Sequence, residues 1–74
     1  MGKAALVRKL FIQYDELTAT DVRRILTARG RRTSYQAIER LFYDLRQLGL
    51  IQFVREEPGD AVHKIDDPLS RDGL

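Results

Sequence analysis

Between Thr33 and Ile51 the chain reads TSYQAIERLFYDLRQLGLI. Its apolar residues Ile38, Leu41, Phe42, Leu45 and Leu48 recur at the three- and four-residue spacing of an amphipathic helix. Thr33 or Ser34 can cap the start. Thr33 with Gln36 three residues on predicts a capping box, which satisfies two backbone N–H groups reciprocally. Gly49 predicts the stop, because helices commonly end on a left-handed residue that glycine adopts cheaply. The polar face left over carries Tyr35, Gln36, Glu39, Arg40 and Tyr43, with Arg46 or Gln47. These side chains hydrogen-bond and stack, unlike an ordinary Lys/Glu solvating face.

Upstream, residues 3–14 (KAALVRKLFIQY) predict a first helix with Leu6, Val7, Leu10, Phe11 and Tyr14 on one face. Ile12 falls off that stripe. It is either a lone exposed apolar residue, which is common, or part of a self-association patch with Met1 and Ala5. Thr18 and Asp21 predict a second capping box, opening a short helix from Ala19 to about Arg29. There Val22, Ile25 and Leu26 point inward and Arg23, Arg24 and Thr27 outward. Gly30 closes it. Only Gly30, Arg31 and Arg32 then precede Thr33, a connection short enough to force an angled helix-turn-helix.

After Gly49, a strand from about Leu50 to Glu56, a turn at Pro58-Gly59-Asp60 and a return strand from about Ala61 to Ile65 predict a hairpin. A three-residue loop sets Phe53 opposite Ile65 on the core side, with Ile51 diagonal. A two- or four-residue loop swaps the facing of the return strand. The stretch from 67 to 74 has no apolar period and reads as a flexible acidic tail after a single domain spanning 1–66.

With 74 residues and no cysteine, neither a disulfide nor a Cys-based zinc site supplements the core. No apolar run approaches the ~20 residues of a membrane span, and Arg8 and Lys9 interrupt any signal-like stretch. An intracellular, cytoplasmic protein is expected. The net charge of +2 is unevenly spread. Residues 1–34 hold eight cations against three carboxylates, and residues 55–74 hold three cations against six. Positive charge gathered at one end points to a polyanion partner. Arginine, whose planar fork suits phosphate and guanine, dominates the cations.

The order helix, Leu17-Thr18, helix, turn, helix and hairpin resembles the winged helix-turn-helix family. The likeness is carried by Leu17-Thr18, by Ser34-Tyr35-Gln36-Ala37-Ile38, by Arg40, Phe42 and Leu45, and by the ending Leu48-Gly49-Leu50-Ile51. It covers residues 3–65 and points to no subfamily. It implies an α+β fold, three helices followed by a two-stranded wing, and a third helix that enters the DNA major groove. Carried over by position, Tyr35, Gln36, Glu39, Arg40 and Tyr43 would face the bases. Nucleoid association, and a role as a transcriptional regulator or chromatin-like accessory, follow from the same likeness.

Side-chain chemistry supports that expectation independently. Arg pairs bidentately with guanine and Gln with adenine, which suits Arg40 and Gln36. Glu39 accepts from cytosine N4 or repels phosphate. For Tyr35 and Tyr43 the competing reading is a ring at the core margin with its hydroxyl in water. The head of the third helix, with Thr33 and Ser34, is a natural phosphate site. Arg29, Arg31 and Arg32 lie just before it. The wing tip, Glu56-Glu57-Pro58-Gly59-Asp60, is acidic where a minor-groove contact would want cations, with only Arg55 and Lys64 nearby.

An enzyme is not expected. His63 is the sole histidine, and the carboxylate pairs Glu56-Glu57 and Asp66-Asp67 are adjacent rather than opposed across a cleft. His63 reads as an exposed strand residue, and a metal site from Asp60, His63 and Asp66 is the weaker reading. No Gly-rich phosphate loop is present. No cofactor or small-molecule substrate is expected; the expected partner is double-stranded DNA. A homodimer is left open by the lack of an extra dimerisation helix. The rival to DNA binding is a protein-interaction adaptor, which the acidic wing and exposed tyrosines would suit.

Overall fold

The structure, a computed structural model, describes residues 2–66. Three helices, α1 (Lys3–Gln13), α2 (Ala19–Ala28) and α3 (Tyr35–Gln47), precede strands β1 (Ile51–Glu57) and β2 (Asp60–Ile65). The strands pair antiparallel. This is an α+β layout consistent with a winged helix. The segment from 67 to 74 lies outside the described residues.

The predicted apolar faces meet in one core. Val7, Leu10 and Phe11 of α1, Val22 and Leu26 of α2, and Ile38, Phe42 and Leu45 of α3 are buried, with Ile51 closing the wing side. Phe11 and Phe42 meet edge to face with centroids 5.2 Å apart, a favourable arrangement of ring quadrupoles. Ile12 stands exposed. Tyr14, expected on the inner stripe, instead caps α1 in extended conformation and is exposed. The helix stops one residue before the stripe reaches it.

Capping explains the other helix ends. Thr18 and Asp21 form the reciprocal box that starts α2. At α3 the box expected from Thr33 and Gln36 is absent. Ser34 is the cap, accepting from the Ala37 N–H at 3.1 Å, so Ala37 rather than Gln36 holds the third helical position. Helix α3 closes at Gly49 (φ +75°). The Leu50 N–H donates to the Leu45 carbonyl at 3.0 Å and the Gly49 N–H to Arg46 at 2.9 Å, the paired bonds of a Schellman ending. Helix α2 closes through the same two bonds, from Arg31 to Leu26 and from Gly30 to Thr27.

The hairpin corrects the expected register. The turn is the two-residue Pro58-Gly59, with Glu57 opposite Asp60. A β-bulge at Val54 then shifts the ladder by one, so Phe53 faces His63 and Ile51 faces Ile65. The bulge undoes the swap of facing that a two-residue loop alone would cause. Phe53 shares a face with buried Ile51 but lies beyond the cover of the helices and is 49% exposed. His63 is the opposite surprise, at 3% exposed. Its backbone exchanges two 2.9 Å bonds with Leu17, so the segment between α1 and α2 adds one antiparallel bridge to the open edge of β2.

Candidate nucleic-acid interface

The turn between α2 and α3 places a cationic concavity at the head of α3. Arg23 and Thr27 from α2, and Arg32, Thr33 and Ser34 from the turn, line an open space of about 440 Å³. Thr33 is more than nine-tenths buried, and its hydroxyl has no hydrogen-bond partner. A buried hydroxyl left without a partner costs about 1–3 kcal/mol. Ser34 spends its acceptor on the cap, but its own hydroxyl hydrogen remains free to donate. Unpaired N–H groups at the first turn of α3 add their partial positive charge.

Arg32, Thr33 and Ser34 thus stand together as the sequence suggested. Arg29 and Arg31 are exposed in the same connection but do not line the concavity. Arg23 and Thr27 were missing from the expected set. Their four-residue spacing on the outward face of α2 was the available signal. What was not legible was that α2 lays this face beside the head of α3.

Along α3, Gln36, Arg40, Tyr43 and Gln47 are all exposed, and a 100° step per residue puts them on one stripe opposite Ile38, Phe42 and Leu45. Arg40 leans toward Asp44, with Nε 3.6 Å from the carboxylate and both side chains well exposed. Glu39 is turned toward the wing, where it borders a cleft with Arg46, Asp60 and His63. Tyr35 is turned the same way and is half-buried. Its hydroxyl donates to Asp60 Oδ1 at 2.8 Å. That bond, with the nearby Asp60 and Glu39 charges and partial burial, pushes the Tyr35 phenol up to about 12.

Asp60 also accepts from the Thr20 N–H at 3.3 Å. Burial raises its pKa, but the bonds from Thr20, Tyr35 and Thr18 outweigh this and hold the carboxyl below its usual range. The wing turn is thereby tied to the starts of both α2 and α3.

At the other end of α3, Arg46 Nη1 lies 3.1 Å from His63 Nε2. Since guanidinium only donates, the imidazole must present a bare nitrogen there. Burial, and then the Arg46 charge, push the His63 pKa down, against the opposing pull of the Ala61 carbonyl, Asp60 and Glu56.

Arg55 is not a free cation of the wing. It meets Glu16 at 3.0 Å and Glu57 at 3.2 Å. The hydrogen bond from Arg55 holds the Glu16 carboxyl below its usual range. Glu56 and Glu57 remain exposed.

Among the described residues, no three His, Cys, Asp or Glu side chains are grouped to hold a metal ion. No helix there is long and apolar enough to cross a membrane. Comparison with protein-family models, with curated proteins and with solved structures finds no match to this chain.

Proposed function

We propose that this chain binds double-stranded DNA, with α3 in the major groove and the concavity at its head on a backbone phosphate. The observation that carries the reading is the concavity at the head of α3 flanked by Arg23 and Arg32, with the unpartnered Thr33 hydroxyl buried in its wall. A phosphate oxygen supplies the missing acceptor, two arginines neutralise it, and the helix N-terminus favours its charge. From that anchor, Gln36, Arg40, Tyr43 and Gln47 present donors, acceptors and a ring on one stripe, as base-edge readout requires. Glu39 and Tyr35 belong to the wing-facing flank, so the base-reading set narrows to the stripe. A role as a transcriptional regulator or nucleoid accessory fits such a module.

The test is duplex affinity against salt for the native chain, Arg23→Ala with Arg32→Ala, and Thr33→Val. Losing two phosphate contacts should flatten the log–log salt slope by about 2 units and weaken all sequences alike. Thr33→Val removes an unsatisfied hydroxyl at constant shape. It should leave folding stability equal or higher while weakening duplex binding. A native chain with no salt-dependent duplex affinity overturns the reading in favour of a protein-interaction adaptor. The acidic, half-tethered wing tip is the feature that favours that second function.

A further inference from the structure

The wing carries a feature that reading an intact duplex does not call for. Phe53 is 49% exposed although it lies on the helix-facing side of the hairpin, directly opposite buried His63. The bulge at Val54 follows it immediately, and bulges commonly re-aim a neighbouring side chain. The His63 ring packs edge-on against Phe53, with centroids 5.9 Å apart, and against Phe42 in the core at 5.0 Å. Its Nε2 holds Arg46, whose guanidinium carbon lies 5.9 Å from the centre of the Tyr43 ring. Tyr43 is 48% exposed and belongs to the outward stripe of α3. Four side chains therefore run in contact from the outer face of α3 to the wing, with a half-exposed aromatic ring at each end.

We propose that Tyr43, Arg46 and Phe53, joined from beneath by the buried His63 ring, form a stacking platform for an unpaired nucleobase at the margin of a bound duplex. The inference rests on the duplex-binding reading above and names a substrate class within it. Aromatic faces and guanidinium planes both stack on bases, with little regard to base identity. A base inside an intact duplex shows these groups only its edge; an extruded or unpaired base offers its face. Glu39 lines the cleft with Arg46 and His63 and repels a phosphate seated there, so the strand's backbone is held at the cationic head of α3 while the base reaches the rings. The platform starts on the reading stripe itself. Ser34 and Arg46 lie twelve positions apart, about 18 Å of helix, so one molecule can grip backbone at one end and a base at the other.

Two probes test this: a blunt DNA duplex, and the same duplex with one unpaired 2-aminopurine. The native chain should bind the second more tightly, by about tenfold for one stacked base, and quench its fluorescence. Phe53→Ala alters a half-exposed ring and should fold. It should abolish both the preference and the quenching, with less than about a twofold change on the blunt duplex. Phe53→Trp should restore both. Equal affinity of the native chain for the two probes, or equal loss on both in Phe53→Ala, overturns the platform and leaves duplex binding intact. Loss of salt-dependent binding to either probe in the native chain instead removes the underlying reading. A protein partner retained through Phe53, with no response to either probe, assigns the patch to a protein interface and overturns the proposal.

Discussion

The Tyr35 hydroxyl donates to Asp60 across 2.8 Å, joining the first residue of α3 to the first residue of β2. With the Thr20 N–H on the other carboxylate oxygen, this bond sets where the wing sits relative to α3. The expected effect of Tyr35→Phe is a loss of about 1 kcal/mol in a denaturant melt, the ordinary worth of one such bond. The pH dependence has two signs. Asp60 has a lowered pKa in the fold, so its contribution is present above the unfolded carboxylate value and lost as pH falls through the folded one, in the range below about pH 4. Tyr35 has a raised pKa, so its contribution is whole below pH ~10 and lost as pH rises through about 12. Asp60→Asn should diminish both effects in melts at pH 3, 7 and 11.

His63 offers a clean titration because the chain has one histidine. Burial and the adjacent Arg46 push its pKa below the ordinary 6.5. The unfolded chain therefore takes up the proton first, and stability should fall as pH drops from about 6.5 until the folded-state value is reached. The ring proton shifts in an NMR titration report that value directly. Arg46→Gln removes the repelling cation and should raise it, without restoring 6.5, since burial is the larger cause. A midpoint unmoved by Arg46→Gln would show that the guanidinium does not stay on the imidazole in solution.

Gly49 tests the end of α3. A methyl group added there meets no atom within 4 Å, so the cost of substitution is conformational and not steric crowding. Gly49→Val should destabilise by more than ~1 kcal/mol, because a β-branched residue strongly resists a positive φ. Gly49→Asn should lose less, as Asn tolerates that region better. A thermal melt unchanged by Gly49→Val contradicts the Schellman ending.

Arg40 and Asp44 form an exposed ion pair one turn apart on the outer face of α3. Arg40→Ala should cost roughly 1–3 kcal/mol on a preferred duplex and much less on random DNA. Asp44→Asn frees the guanidinium from its 3.6 Å partner and removes a negative charge from beside the proposed DNA-contacting stripe. Its expected result is tighter duplex binding at low salt, with the gain shrinking as ionic strength rises. Competition binding with both duplexes at two salt concentrations separates the effects.

Much of the fold was written in local pattern. The period of Ile38, Phe42 and Leu45, the Thr18–Asp21 box and the glycines after α2 and α3 each act over one or two turns, so spacing alone locates them. The grouping of Arg32, Thr33 and Ser34 at a helix head was legible for the same reason. What depended on tertiary structure involved residues far apart in the chain. Phe53 and His63 exchanged their expected environments because a bulge at Val54 and a bridge to Leu17 decide which part of the wing is covered. Neither has a local periodicity to announce it. The Tyr35 hydroxyl found its partner in Asp60, twenty-five residues on. Arg23 joined the cationic concavity only because α2 packs against the head of α3. Short-range spacing determined the elements and their caps; the exposure of each aromatic ring and the partner of each charge were decided by how those elements pack.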